Sequence, residues 1–351
     1  MTTPQSVIKV LLVDDSPLVL QVLQRQLSNS PEIQVVGTAA NGSLALNLLP
    51  VLKPDVICTD LHMPVMDGLE LTRAVMEHDP RPILVVTISA EPGSHNVFSL
   101  LEAGAVDIFP KPKDILSADQ DKLAAELASK IRILAGVKVF RRNHHPSVNG
   151  PQVPEAKGAL RMVVIGASTG GPQALHEILK ALPADFPIPV VCVQHIGSTF
   201  VADLVLWLHQ ACALQVCVAV QGVVAKPGVV YFAPAEVHLE WDDGGCFLLS
   251  RSPPVDGHQP SVTVTMNSAA RCFGAASAGV LLTGMGSDGA DGMLNIATAG
   301  GMTIAQDEAS CIVYGMPKAA VERGAVQIVL PLEKIAQALR TIAAGRRQNG
   351  K

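Results

Sequence analysis

Residues 7–15 read VIKVLLVDD, a run of β-branched residues and Leu that ends on two carboxylates. A strand with so little polar alternation fits a parallel sheet covered on both faces. The segments that follow set the class. Leu18–Leu27 repeats apolar residues at helical spacing, and short apolar runs recur at Ile33–Thr38, Val56–Thr59, Ile83–Thr87 and Val106–Phe109. Helical patterns lie between and after them, at Leu44–Leu52, Leu69–Glu77, His95–Glu102 and Lys122–Leu134. Five strands alternating with five helices predict a doubly wound α/β unit on a five-stranded parallel sheet.

The alternation then stops. Residues 136–158 carry Pro, Gly, Asn and a local Arg-Arg-Asn-His-His cluster, which predicts a hydrated linker. A second α/β domain starts near Leu160. Its expected strands are Arg161–Ile165, Val190–Gln194, Val229–Ala233, Val280–Thr283 and Met302–Gln306. Its expected helices are Pro172–Leu182, Val201–Gln210, Gly289–Ala299, Pro317–Arg323 and Leu332–Ala344. His238–Trp241 and Cys246–Ser250, joined by Asp-Asp-Gly-Gly, read as a β-hairpin. The organisation expected is therefore a first domain over 1–135, a linker over 136–158 and a second parallel-sheet domain over 159–345.

Composition narrows the function. The chain has 351 residues, enough for two domains. Hydrophobic residues make up 48% and charged residues 16%, too apolar for a disordered protein. A net charge of −5 and 3% aromatic content argue against nucleic acid as a partner. The stretches lacking charged residues, 186–202 and 272–287, are broken by polar residues and Gly, so no membrane insertion is expected. The N-terminal residues lack the pattern of a secretory signal, and the expected location is the cytoplasm. Seven Cys show no CxxC spacing, and most of them read as buried small hydrophobes in a reducing compartment.

Two constellations carry chemistry. In the first domain Asp14 and Asp15 follow the first strand, Asp60 the third and Lys111 the fifth, while Thr87 ends the fourth. In a doubly wound sheet these points share the carboxyl edge, where ligands bind. Three crowded carboxylates there call for a hard cation, and Mg²⁺ suits them. A carboxylate freed for attack on a phosphoryl group would give an aspartyl phosphate, with Lys111 and Thr87 able to contact its oxygens.

In the second domain a strand runs into Gly166-Ala-Ser168-Thr-Gly170-Gly171-Pro172 and then a helix. One reading is a dinucleotide loop, but Ser168 stands where the middle glycine should be, and the next strand ends in His195 rather than an acid. The other is a nucleophile elbow, G-x-S-x-G, exposing a serine hydroxyl. His195 ends the next apolar strand and is the best-placed base. Asp288 in LTGMGSDGADG is the preferred acid and Asp291 its rival, and that glycine-rich turn can also offer backbone N–H groups to an oxyanion. A module that binds without catalysing and a nucleotide switch are the other classes considered.

LLVDDSPLV, DVICTDLHMPVMDGLEL, PILVVTISA and GAVDIFPKP together resemble a response-regulator receiver domain. The resemblance makes Asp60 the phosphoacceptor, Asp14 and Asp15 the metal carboxylates, and Thr87 and Lys111 the phosphate sensors. It also implies a metal contact from the His62 carbonyl and a cis Lys111–Pro112 bond. VVIGASTGGPQAL, VCVQHI, LLTGMGSDGADGM and AQDEASCIVYGMPKAA resemble the catalytic domain of chemotaxis protein-glutamate methylesterases. That resemblance implies a Ser168, His195, Asp288 triad, an oxyanion donor at the Met285 N–H, Thr169 beside the nucleophile and no cofactor in the esterase site. It implies methylated chemoreceptors as substrates, deamidation of receptor glutamines as a second activity, and a chemotaxis histidine kinase as phosphodonor. The segment HQPSVTVTMNSAA (258–270) departs from the family pattern: Thr263, Met266 and Asn267 replace Asp, Phe and Arg. His62 stands where such receivers often have an acid.

Overall fold

The structure is a computed structural model, and it describes residues 7–88, 97–111, 120–137 and 160–348. The chain forms two compact units, Met1–His145 and Pro146–Lys351. Most of the expected linker and the Lys111–Pro112 bond lie outside the described residues.

The N-terminal unit contains β1 (Ile8–Val13), α1 (Pro17–Ser28), β2 (Ile33–Ala39), α2 (Gly42–Leu52), β3 (Val56–Thr59), α3 (Gly68–His78), β4 (Ile83–Thr87), α4 (Phe98–Ala103), β5 (Asp107–Pro110) and α5 (Gln120–Ala135). Its sheet has the order β2-β1-β3-β4-β5, and every pairing is parallel. All residues of β3 and β4 are buried, as a sheet covered on both faces requires. Polar caps fix the helix starts: Ser16 accepts from the Val19 N–H, and Asp67 forms a capping box with Glu70.

The C-terminal unit contains β6 (Met162–Ala167), α6 (Gly171–Lys180), β7 (Val190–Gln194), α7 (Val201–Ala211), β8 (Gln215–Val218), β9 (Val229–Phe232), β10 (His238–Trp241), β11 (Phe247–Ser250), α8 (Val262–Phe273), β12 (Ser277–Leu281), α9 (Ala290–Thr298), β13 (Met302–Gln306), α10 (Met316–Glu322), β14 (Ile328–Leu330) and α11 (Leu332–Gln348). Seven strands form a parallel sheet in the order β14-β13-β12-β6-β7-β9-β8. The predicted hairpin is present as the antiparallel pair β10-β11. Trp241 and Phe247 from this hairpin are fully buried, and they join Val262, Met266 and Leu281 in one core.

Three elements were not foreseen: β8, β14 and α8. The helix matters most. Val262, Met266, Ala269 and Ala270 all lie on its buried face, at i, i+4, i+7 and i+8. The run Val262-Thr-Val-Thr265 opens it, and such β-branched residues lower helix propensity and hide the pattern. Ser261 supplies the missing start signal by capping the Val264 N–H. The strand expected at Val280–Thr283 runs instead over Ser277–Leu281, because residues beyond Leu281 turn into the site loop. Only Cys58 and Cys192 are buried among the seven cysteines, and all seven are free thiols. Among the described residues no helix is long and apolar enough to cross a membrane.

Candidate active site

β6 lies at the middle of the seven-stranded sheet, with β7 on one side and β12 on the other. The chain leaves β6 in one direction to reach β7 and later returns on the opposite flank, so the carboxyl end of β6 is a topological switch point where a crevice opens. Ala167 pairs with Gln194, so Ser168 and His195 are the residues next after the paired ends of their strands. The His195 N–H donates to the Ala167 carbonyl at 3.0 Å, and the Ser168 N–H donates to the Thr283 carbonyl at 3.0 Å. Two further contacts hold the elbow. The Gln194 side-chain amide donates to the carbonyls of both Ser168 and His195, at 2.8 and 2.9 Å. Gly284 must be glycine, because a Cβ there would lie 2.7 Å from Ser168 Cβ and 2.3 Å from Met316 Sδ.

The loop after β12 brings Asp288 back to this point. Asp288 Oδ2 lies 2.9 Å from His195 Nε2. The carboxylate is buried, and three more donors complete its shell. The Val262 N–H bonds Oδ2 at 2.7 Å, while the Thr263 N–H and the Ser261 hydroxyl bond Oδ1 at 2.9 and 2.8 Å. Asp288 thus sits on the N-terminus of α8, where exposed N–H groups and the helix dipole favour an anion. Burial alone would raise its carboxyl, but the His195 ring, the Thr263 N–H and the Ser261 hydroxyl outweigh that and hold it well below the usual carboxylate range.

The Asp288 contact fixes the tautomer of the neutral His195 ring. A carboxylate only accepts, so in that ring Nε2 carries the proton and Nδ1 keeps the lone pair. Nδ1 is buried and has no partner, and the Ser168 hydroxyl makes no hydrogen bond among the described residues. Nδ1 is thus an acceptor without a donor, on the residue that follows the strand paired with that of Ser168. The nitrogen facing the acid is Nε2, where the trypsin-like arrangement uses Nδ1. Asp291, the rival acid, instead pairs with Arg323 at 2.9 Å on the surface. Thr169 is buried, and its carbonyl accepts the Thr283 hydroxyl at 2.9 Å. Met285 is half exposed at the rim.

Sequence reasoning missed the support around Asp288. The Ser261 N–H donates to His238 Nδ1 at 3.1 Å, and His238 Nε2 donates to the Pro253 carbonyl at 3.1 Å. The Thr263 hydroxyl accepts the Gly289 N–H at 2.7 Å and so ties α8 to the acid loop. His258 stacks on His195 with ring centroids 3.8 Å apart and planes within 8°. The signal for Ser261 was present, a serine ahead of apolar residues at helical spacing, but nothing in the sequence marks His258 or His238 as neighbours of the site.

In the N-terminal unit the expected cluster comes together. Asp14, Asp15 and Asp60 offer carboxylate oxygens within 4.8 Å of one another. Lys111 Nζ lies 2.7 Å from Asp14 Oδ2 and from Asp60 Oδ2. Burial would lower the Lys111 ammonium, but hydrogen bonds to the two carboxylates outweigh it and raise Lys111 above the usual lysine value. Burial pushes the Asp14 carboxyl up against the pull of Lys111 and the Ser16 N–H. Three carboxylates against one ammonium leave an excess of two anionic groups, and an oxygen-only donor set of this kind fits a hard divalent cation such as Mg²⁺. Thr87, buried at the end of β4, donates its hydroxyl to the Ile88 carbonyl at 3.3 Å.

Residues 163–339 match the CheB methylesterase family model, and residues 10–122 match that of the response regulator receiver domain. A protein-glutamate methylesterase/protein-glutamine glutaminase of Methanospirillum hungatei is 42% identical over 97% of this chain and 99% of its own. One of the same name from Anaeromyxobacter dehalogenans is 44% identical over 95% of this chain and 97% of its own. The catalytic domain of the Thermotoga maritima CheB methylesterase superposes with a TM-score of 0.50 at 38% identity, covering 53% of this chain and all of that one.

Ser261→Ala removes both the cap of α8 and one donor to Asp288. Stability is expected to fall by about 1–2 kcal/mol, the usual cost of losing a cap, and ester hydrolysis by a larger factor than the loss of folded protein explains. Urea unfolding and hydrolysis rates on one preparation check this.

A pH dependence follows from His258. Burial, and then the charge of His195, lower its imidazole from 6.5 to about 4. Between these values the unfolded chain binds a proton that the native chain refuses, so this group removes stability as pH falls from about 6.5 towards 4. Denaturation midpoints measured across that window are expected to decline less steeply in His258→Phe than in the natural chain.

Proposed function

Because the chain belongs to the CheB methylesterase family and carries a receiver domain ahead of the esterase unit, we propose that Ser168, His195 and Asp288 carry out its hydrolysis of glutamate γ-methyl esters on chemoreceptors. The observation that supports this best is the buried bond of His195 Nε2 to Asp288, which leaves Nδ1 unpartnered at the strand end next to that of Ser168.

The Ser168 hydroxyl oxygen attacks the ester carbonyl carbon while His195 Nδ1 takes its proton. The positive charge that appears on the ring is met by Asp288, already ionised and fully hydrogen-bonded, so little reorganises as the charge develops. The Met285 N–H is the donor assigned to the oxyanion, with Thr169 next to the nucleophile. Collapse of the tetrahedral intermediate breaks the bond to methoxide, which leaves as methanol with the proton from His195. Water then attacks the acyl-serine, His195 again taking and returning one proton, and glutamate is released. A glutamine side chain reaches the same acyl-serine once its amide nitrogen, protonated by His195, leaves as ammonia, which accounts for the second activity in the names of the relatives.

The receiver domain places this hydrolysis under phosphorylation control in chemotaxis adaptation. Asp60 is proposed as the acceptor of a phosphoryl group from a histidine kinase, and Lys111 and Thr87 as the groups that register it. Asp14, Asp15, Asp60 and the His62 carbonyl would hold Mg²⁺, which when bound offsets the negative charge of phosphoryl oxygens. A cytoplasmic location, where the kinase and the receptors' signalling helices would meet the enzyme, belongs to the same proposal.

Ser168→Ala is expected to lower methanol release from methylated receptor membranes by on the order of 10⁶-fold with the fold retained. Asp288→Asn should cost about 10⁴-fold, the reference loss for a wrong histidine tautomer, whereas Asp291→Asn should stay near wild type. Near-normal rates in folded Ser168→Ala, or a greater loss from Asp291→Asn than from Asp288→Asn, refute the assignment.

For the receiver, incubation with a small acyl phosphate and Mg²⁺ is expected to label Asp60 and raise hydrolysis, and Asp60→Asn should show neither. Mass spectrometry that places the label on another residue overturns it.

A further inference from the structure

His258 has no part in the proton transfers above, yet its imidazole lies flat on that of His195, 3.8 Å between centroids and 8° between planes. The backbone around it is built to hold it there. Val255 and His258 exchange two backbone hydrogen bonds, at 3.1 and 2.9 Å, across a turn in which Asp256 and Gly257 both have positive φ, 51° and 80°. Two consecutive positive φ values close the tightest hairpin turns, and Gly257 accepts one without strain. The Gln259 side chain ties the same loop to the Ser252 carbonyl at 2.7 Å. Three residues beyond His258, Ser261 opens the series of donors that grips Asp288.

His195 therefore needs two constraints and receives both from one segment. The Nε2–Asp288 bond fixes one corner of the imidazole but leaves the ring free to tilt about it. A second ring laid on its face removes that tilt, and with it the uncertainty in where the Nδ1 lone pair sits. Small displacements of a general base are costly, since about 1 Å can reduce a rate by 10²-fold. The same ring covers the His195–Asp288 hydrogen bond on one face, keeping water from competing for it. The groups facing His258 are His195, Asp288 and Asp256, and burial keeps its imidazole neutral well below neutral pH. A neutral ring at this position adds no repulsion when His195 becomes an imidazolium.

From this geometry we infer that His258 is a positioning residue of the esterase site, acting through the flat face of its ring to fix the plane of the His195 imidazole and shield its bond to Asp288. The inference rests on the proposed roles of Ser168, His195 and Asp288.

The test uses the full chain and methanol release from methylated receptor membranes over a range of receptor concentration. His258→Ala should lower kcat by on the order of 10-fold, within the range for a misplaced base, with KM unchanged. His258→Phe, flat but unable to titrate or to hydrogen-bond, should restore kcat to near wild type. The downfield proton resonance of His195 Nε2–H should be sharp in the natural chain and in His258→Phe, and lost to exchange with water in His258→Ala. Where His258→Ala does not fold, His258→Gln replaces it, keeping bulk and polarity without a ring. Wild-type kcat in the ring-less variant overturns the inference, and so does a His258→Phe protein as slow as that variant. Ser168→Ala run beside them separates the two readings: if it retains hydrolysis the active-site proposal fails, and if it is inactive while the ring-less His258 variant is at wild-type rate, only the role of His258 falls.

Discussion

The buried carboxylate of Asp288 is the point on which the C-terminal unit turns. An ionised carboxylate out of water is tolerated only when its oxygens are occupied, and here four donors occupy them. Two come from the backbone at the start of α8, one from the cap of that helix and one from the His195 ring. Each partner also serves a structural purpose. The acid loop is held to α8, α8 begins where the anion is, and the imidazole is fixed in one tautomer. The geometry that keeps Asp288 charged therefore also leaves the other nitrogen of the neutral His195 ring an acceptor without a partner.

The sheet explains why these groups can meet at all. Ser168, His195 and Asp288 follow β6, β7 and β12, three neighbouring strands around the strand where the connections reverse direction. Strand ends at such a point converge without any loop having to reach far. Small residues let the layers close up. A Cβ at Gly166 would lie 2.3 Å from Val262 Cγ1, so the first residue of α8 packs directly against β6. A Cβ at Gly284 would strike Ser168 itself. The site is thus packed from the back as tightly as the core.

The N-terminal unit uses the same edge of a similar sheet for the opposite electrostatic purpose. Around Asp288 the donors satisfy the negative charge. Around Asp14, Asp15 and Asp60 a single lysine leaves negative charge in excess, and burial pushes the Asp14 carboxyl up. The first arrangement is finished and suits a rigid catalytic group. The second leaves negative charge uncompensated among the described residues, and its oxygen-only donors suit a hard divalent cation.

The sequence by itself determined the fold class and the chemistry. Continuous apolar runs and period-3.6 patterns are local, so the strands from β1 to β5 and the hairpin at Trp241 and Phe247 were legible, as were the strand-end residues Asp14, Asp60, Lys111, Ser168 and His195. Glycine-rich turns after apolar runs made Ser168 and the loop of Asp288 stand out. What only the tertiary structure decided depends on contacts between segments far apart in the chain. The β-branched start of α8 conceals a helix that exists because Val262 and Met266 are buried under the sheet and because an anion sits on its first N–H groups. The sequence already favoured Asp288 over Asp291, but the donors that grip Asp288 and the pairing of Asp291 with Arg323 come only from the fold. The stacking of His258 on His195 brings together residues 63 positions apart, and no local pattern encodes it, because the forces that place the two rings act only once α8, the hairpin turn and the sheet edge have packed.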